Sequence, residues 1–292
     1  MERILLFGGS GILGTEVLGL LQQGKIDYVA PRSTDLDIRN ENLVRGMVRV
    51  FKPTWIINCA AWTNVDGAEE SFEEAREINE TAVKKIGTVA DSLNCKVIHI
   101  STDYVFDGKS SEAYLENSLV NPINKYGESK LNGENALLNS LSSAYVVRSS
   151  WLYGVSGHNF VKTIARKALQ NESAFVVDDQ VGSPTSSRDL AAAILSIVRN
   201  QPEPGIYNYS NDGSCSWFEL AKAVYENIGT ETRLVSAIDT ESLRLMAKRP
   251  KFSLLSKDKW NAAHLGIVPK WRASLNLLLP EIVAELQRVE KI

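Results

Sequence analysis

The sequence predicts an α/β fold: a doubly wound parallel sheet with a smaller mixed α/β unit after it. Two observations carry this. Short apolar runs near residues 4–7, 27–30, 55–61, 95–100 and 144–149 alternate with segments whose apolar residues recur at helical spacing. No hairpin signal separates one run from the next, so parallel strands joined by crossover helices are required. After residue 150 the order loosens. The expected organisation is a first domain over 1–150 and a second over 151–292, with 174–200 returning to the first.

The first strand leads into Gly8-Gly9-Ser10-Gly11-Ile12-Leu13-Gly14, after which Val17, Leu18 and Leu21 mark a helix. Glycines at 8, 11 and 14 let backbone amides approach a pyrophosphate at the positive end of that helix, and the last lets the helix lie close to the strand. A plain glycine turn is the other reading. The second strand ends at Pro31-Arg32-Ser33, where NAD-selective folds often place a carboxylate for the ribose diol. None stands there, so Arg32 and Ser33 point to a 2′-phosphate and to NADPH, with NADH left open; a solvated loop arginine is the alternative.

A helix over 40–51 precedes the strand at 55–61, whose terminal Ala60 and Ala61 leave room for a flat ligand at the carboxyl edge or else close a tight turn. The acid-rich helix at 68–94, interrupted near Asn79, reads as a solvated face. The strand at 95–100 runs into Ser101-Thr102-Asp103, and the one at 144–149 into Ser150-Trp151. The carboxyl edge of the sheet would therefore gather 8–14, 60–63, 101–102 and 149–151. Further on come a helix at 159–170, a strand at 175–177, a turn at 179–185, a helix at 187–199, a linker turn at 201–205 and a helix at 217–228. The closing amphipathic helix over 274–289 is expected to kink or restart at Pro280.

With 44% hydrophobic and 23% charged residues among 292, the chain has ample core. A net charge of -3 without a basic run gives nucleic acid or an anionic membrane no electrostatic hold, and neither partner is expected. Cys59, Cys95 and Cys215 are scattered, which suits a reducing compartment and argues against a zinc site; no metal is expected. No apolar run reaches membrane-spanning length and none reads as a signal peptide, so the expected location is cytoplasmic.

Between two of these strands lies Tyr126-Gly127-Glu128-Ser129-Lys130. One helical turn brings the phenol and the ammonium to the same face. A free phenol ionises near pH ~10, and a neighbouring cation favours the phenolate, which suits proton transfer at neutral pH. A buried ring covered by a lysine stem is the structural alternative.

The glycine turn, Ser101-Thr-Asp-Tyr-Val-Phe-Asp-Gly108 and Tyr126-Gly-Glu-Ser-Lys130 resemble an extended short-chain dehydrogenase/reductase, built on a Rossmann sheet. Further blocks look like the dTDP-4-dehydrorhamnose reductase family: Leu36-Asp37-Ile38, Cys59-Ala-Ala-Trp-Thr-Asn-Val-Asp66, Arg148-Ser-Ser-Trp-Leu-Tyr-Gly154, Asn159-Phe160-Val161, Asp179-Gln-Val-Gly-Ser-Pro-Thr185 and Arg249-Pro250. The resemblance spans nearly the whole chain. It implies a catalytic set in which Tyr126 protonates a sugar C4 oxygen, Lys130 lowers the phenol's pKa and holds the nicotinamide ribose, and Thr102 bonds the same carbonyl. It implies cofactor contacts from Gly8, Gly11, Ile12, Leu13, Gly14, Arg32, Asp37, Ile38, Ala60, Ala61 and Thr63, besides Tyr126 and Lys130. For the nucleotide sugar it implies Thr102, Asp103, Trp151, Asn159, Gln180, Thr185 and Arg249, the last a fork for a phosphate. A core ring is the other reading of Trp151. The oligomeric state is left open, a homodimer included.

Three positions depart from the family pattern: Ser256 where Asp is common, Cys59 for alanine and Trp62 for tyrosine. None belongs to the catalytic set. A sugar-nucleotide 4,6-dehydratase would need an acid and base after Thr102, where this chain has Asp103-Tyr104. A 4-epimerase typically carries Ser-Ser or Ser-Ala there. A non-enzymatic cofactor-binding subunit of methionine adenosyltransferase resembles the same family, but the complete Thr102, Tyr126 and Lys130 set favours an enzyme.

Overall fold

Ile4, Leu5 and Leu6 are completely buried because β1 (Arg3–Phe7) runs through the middle of a parallel sheet. The computed structural model describes residues 2–290. After β1 come α1 (Ile12–Gln23), β2 (Asp27–Val29), α2 (Glu41–Phe51), β3 (Trp55–Asn58), α3 (Gly67–Glu70) and α4 (Phe72–Arg76). A π-helical turn (Glu77–Thr81) then leads into α5 (Ala82–Ser92), β4 (Lys96–Thr102), α6 (Lys125–Ser140) and β5 (Ala144–Ser149). Sequence periodicity placed the strands to within three residues, the expected helix over 68–94 being split into α3, α4, the π-helical turn and α5, and caps explain the starts of α2 and α6. Asn40 and Asn124 accept hydrogen bonds from the first-turn amides of α2 and α6. The interruption expected near Asn79 is the π-helical turn. Asn79 is buried there, bonding the Trp62 backbone and the Ser129 hydroxyl of α6.

The second half is β6 (Leu152–Tyr153), α7 (Phe160–Leu169), β7 (Ala174–Val177), β8 (Val181–Gly182), β9 (Thr185–Ser186), α8 (Ser187–Asn200), β10 (Gly205–Asn208), β11 (Cys215–Ser216), α9 (Trp217–Ile228), β12 (Val235–Ile238), α10 (Asp258–Ala262) and α11 (Trp271–Glu290). The main sheet has six strands in the order β10-β5-β4-β3-β1-β2, all parallel. The order reverses between β1 and β3, which leaves a crevice at their carboxyl ends. One face packs α1 against α8; the other carries residues of α2 and α5.

Three expectations change. The segment that returns to the main sheet begins at α8, not at 174: β7 pairs in parallel with β12, and Ala174 and Val176 join the separate core of α7, α9 and α11. The supposed linker at 201–205 delivers β10 to the sheet edge beside β5. The last helix runs unbroken through Pro280. Pro280 lies on its exposed face, where water can satisfy the carbonyl that the missing N–H leaves free. At the departure from the family pattern, Ser256 accepts from the Asp258 amide and so helps start α10. Among the described residues no helix is long and apolar enough to cross a membrane.

Candidate active site

The carboxyl edge opens into a cleft of about 1020 Å³. Its floor is the glycine turn. A Cβ on Gly14 would stand 2.1 Å from the Gly8 carbonyl oxygen, and one on Gly8 would meet the Ala60 nitrogen at 2.6 Å, so these two glycines let α1, β1 and β3 converge. Gly11 is different, since a Cβ there would touch only the Gly8 oxygen at 3.4 Å. No side chain caps α1 and no acid occupies its first turn, so its free amides face the cleft as an anion site. Buried hydroxyls of Ser101 and Ser149 also line the cleft and have no hydrogen-bond partner within the described protein. Such groups are built for a polar ligand, and the whole arrangement fits a dinucleotide.

Farther along the wall, Asp37, Ile38, Ala60, Ala61 and Thr63 face the same space, as do Ile12 and Leu13. Asp37 is already bound to Arg39, with Arg39 Nη2 2.6 Å from its carboxylate, and that guanidinium holds the carboxyl below its usual range. Arg39 also lines the cleft. Arg32 does not; its side chain is exposed, and Ser33 and Thr34 stand at the rim in its place.

Thr102, Asp103, Tyr126 and Lys130 meet at the centre. The Thr102 hydroxyl donates to Asp103 Oδ1 at 3.1 Å and accepts from the Tyr104 amide at 3.1 Å. Tyr126 packs edge-on against Tyr104, ring centroids 5.8 Å apart. Its phenol is pushed up to about 12 by burial, opposed by the Thr102 hydroxyl and reinforced by the charge of Asp103. Lys130 goes the other way, pulled down to about 8 by its burial against a weaker pull from Glu134. The spacing argument expected the ammonium to lower the phenol; in the folded protein burial dominates both groups. Asp103 is raised to about 7 by burial, although Ser253 and Thr102 favour its charge.

Trp151, at the end of β5, is held in a left-handed conformation at φ 48°. Its indole stacks on Trp217 at the start of α9, which sequence reasoning passed over as an ordinary helix residue. Both rings line the cleft. Asn159 reaches the wall, but its side chain caps α7 through the Lys162 amide and donates to the Gly154 carbonyl.

Three predicted substrate residues do not line the cleft. Gln180 is buried behind it, accepting from the Trp217 indole at 3.2 Å and donating to Thr240 at 2.9 Å. Thr185 is buried, its amide bonded to the Trp151 carbonyl. Arg249 grips Asp66 with both terminal nitrogens, at 2.8 and 2.6 Å, which leaves its fork engaged. That pairing joins the 240–249 strap to the loop after β3, a contact no local pattern announces.

The family model described as RmlD substrate binding domain matches residues 1–284. A dTDP-4-dehydrorhamnose reductase of Aggregatibacter actinomycetemcomitans is 36% identical over 287 residues, covering 94% of this chain and 97% of its own. The chain belongs to the dTDP-4-dehydrorhamnose reductase family. A second relative, the dTDP-4-keto-6-deoxy-D-glucose reductase of Streptomyces niveus, is 34% identical over 97% of this chain and 99% of its own. Within the same family, the crystal structure of the reductase from Bacillus anthracis str. Ames in complex with NADP superposes with a TM-score of 0.92 at 36% identity, over 96% of this chain and 99% of that one.

Proposed function

We propose that the chain reduces the C4 keto group of dTDP-4-dehydro-6-deoxy-L-mannose with NADPH, giving dTDP-L-rhamnose, with Tyr126 as general acid. The observation that carries this is the convergence of Thr102, Tyr126 and Lys130 beside the glycine cradle, in one cleft with buried, unpartnered hydroxyls. Reduced NADPH supplies the hydride when bound. The α1 amides and Gly11 would hold the pyrophosphate, Ile38, Ala60, Ala61 and Thr63 would flank the cofactor, and Ser33 and Arg39 line the cleft where a 2′-phosphate would lie. Trp151 and Trp217 form the sugar-nucleotide wall.

Reduction at C4 leaves an alkoxide that must be protonated as it forms. A phenol held at about 12 is fully protonated at neutral pH and so keeps its proton until that charge develops. Tyr126 then passes the proton to the C4 oxygen. Thr102 orients the carbonyl by turning toward it the hydroxyl proton that it gives to Asp103 Oδ1 in the ligand-free protein.

The test is loss of NADPH absorbance with the purified chain, offered both the L-mannose-type sugar and its dTDP-4-keto-6-deoxy-D-glucose counterpart. Turnover of the first, with Tyr126→Phe slowed about 10²–10⁴-fold while NADPH still binds, is the expected result. No consumption with either sugar removes the reductase reading, and unimpaired Tyr126→Phe removes the acid.

A further inference from the structure

Lys130 has two partners from β4. Its Nζ donates to the Ile100 carbonyl at 2.6 Å and stands 3.3 Å from His99 Nε2. His99, completely buried in β4, has its other ring nitrogen 3.1 Å from Asn58 Nδ2. Asn58 Oδ1 accepts from the Ala60 amide at 3.1 Å.

The direction of this chain follows from its donors. A backbone N–H only donates, so Asn58 must turn its oxygen to Ala60 and its NH₂ to the ring. The NH₂ only donates, so His99 Nδ1 must accept. A neutral imidazole accepting at Nδ1 carries its proton on Nε2. Burial drives His99 well below its ordinary pKa, so the ring is neutral. Its Nε2–H therefore points at Nζ, and an ammonium has no lone pair to receive it. An uncharged amine completes the chain: lone pair to His99, one proton to Ile100, the other free toward the cleft.

We propose that Asn58 and His99 are positioning residues that hold Lys130 as an uncharged amine in the ligand-free protein at mildly alkaline pH, so that loading the cleft with an anionic dinucleotide is coupled there to uptake of a proton by Lys130. The other groups around Lys130 allow this. Cys59, beyond β3, stays a thiol because burial lifts it to about 12. Glu134, one turn along α6, favours the ammonium, but its carboxylate is taken by the buried Arg148 of β5 at 2.6 Å. Tyr126 is protonated, and the Asp103 charge acts on Tyr126. Burial of Lys130 pulls in the same direction. The inference builds on Lys130 belonging to the proposed site, yet its main readout needs neither cofactor nor turnover, so its failure is separate from failure of the reductase assay.

The chain has three histidines, so ¹⁵N-histidine spectra of the free protein are readable. His99 is expected neutral with its proton on Nε2 from about pH 6 to 9, and Lys130, assigned through Lys130→Arg by its ¹³Cε signal, is expected to titrate well below the ordinary ~10.4. Asn58→Asp places an acceptor opposite Nδ1, moves the ring proton there and frees Nε2 for an ammonium, raising the Lys130 midpoint by about one pH unit, a tenfold change in proton affinity. His99→Gln, which can offer an amide oxygen, should shift it the same way. Calorimetry of NADP⁺ binding near pH ~9 in two buffers of different ionisation enthalpy should show proton uptake in the native chain and loss of it in Asn58→Asp. A proton on Nδ1, an imidazolium, a Lys130 that titrates normally, or binding without proton uptake overturns the proposal.

Discussion

The indole of Trp151 lies flat on that of Trp217, ring centroids 3.7 Å apart and planes 10° from parallel. One ring follows the last strand of the first half and the other opens α9, so the pair closes the cleft across the two parts of the chain. Phe160 packs edge-on against Trp217 and Gln180 bonds its nitrogen, which fixes the second ring.

If this wall serves the sugar nucleotide, Trp217→Leu keeps an apolar side chain but loses the stack. An aromatic pair contributes ~0.5–1.5 kcal/mol beyond area, so KM for the sugar should rise about 3–10-fold. The Kd for NADPH, followed by fluorescence, should stay unchanged. An equal loss in both would assign the wall to the cofactor.

Gly11 and Gly14 should separate folding from binding. Gly14→Ala drives its methyl into the Gly8 carbonyl at 2.1 Å, and thermal unfolding should show a large fall in stability. Gly11→Ala places its methyl at an ordinary 3.4 Å, with φ -79° and ψ 175° that any residue adopts. Its Tm should barely move while NADPH affinity drops about tenfold or more, because the methyl occupies the pyrophosphate approach. Intact NADPH affinity in Gly11→Ala would place the pyrophosphate elsewhere.

Asp103 sets a pH dependence of stability. Its folded pKa of about 7 lies above the ordinary value, so between about pH 4 and 7 the folded state holds a proton that the unfolded state has released. The native state binds more protons there, and stability contributed by this group falls as pH rises through that window. Asp103→Asn should be close to neutral in denaturant midpoint near pH ~4 and stabilising above pH ~7, on the order of 4 kcal/mol. A stability difference that is constant with pH would put the Asp103 carboxyl at an ordinary pKa.

The Arg249 fork on Asp66 predicts a coupled pair. Asp66 is partly exposed, so solvent screening limits the contact to about 1 kcal/mol. Arg249→Met and Asp66→Asn should each lower stability by about that amount, and the double variant by no more than either alone. Additive losses in urea midpoints would mean the two residues act independently.

Much of this molecule was legible in one dimension. The strands from β1 to β5 and their crossover helices were, because burial on both faces of a parallel sheet writes continuous apolar runs, and helices write a 3.6-residue period. The glycine turn and the Tyr126 to Lys130 turn were legible for the same reason: each is one local geometry. The carboxyl-edge positions 60–63, 101–102 and 149–151 followed once the sheet was parallel, and all three stretches contribute to the cleft.

What sequence alone determined, then, is the alternation of strand and helix, the glycine cradle and the phenol and amine sharing a helix face, since these depend on neighbours within a few residues. Only the tertiary structure decided that β10 completes the sheet, that Trp217 faces Trp151, that Arg249 is spent on Asp66, and that Asn58 and His99 link to Lys130. Each of those meetings joins residues far apart in the chain, and its partner is selected by packing and by the need to satisfy buried donors, for which no local period exists. The pKa order at the centre follows the same rule. Spacing gave Tyr126 a cation one turn away, but burial, a property of the whole fold, raised the phenol and lowered the amine.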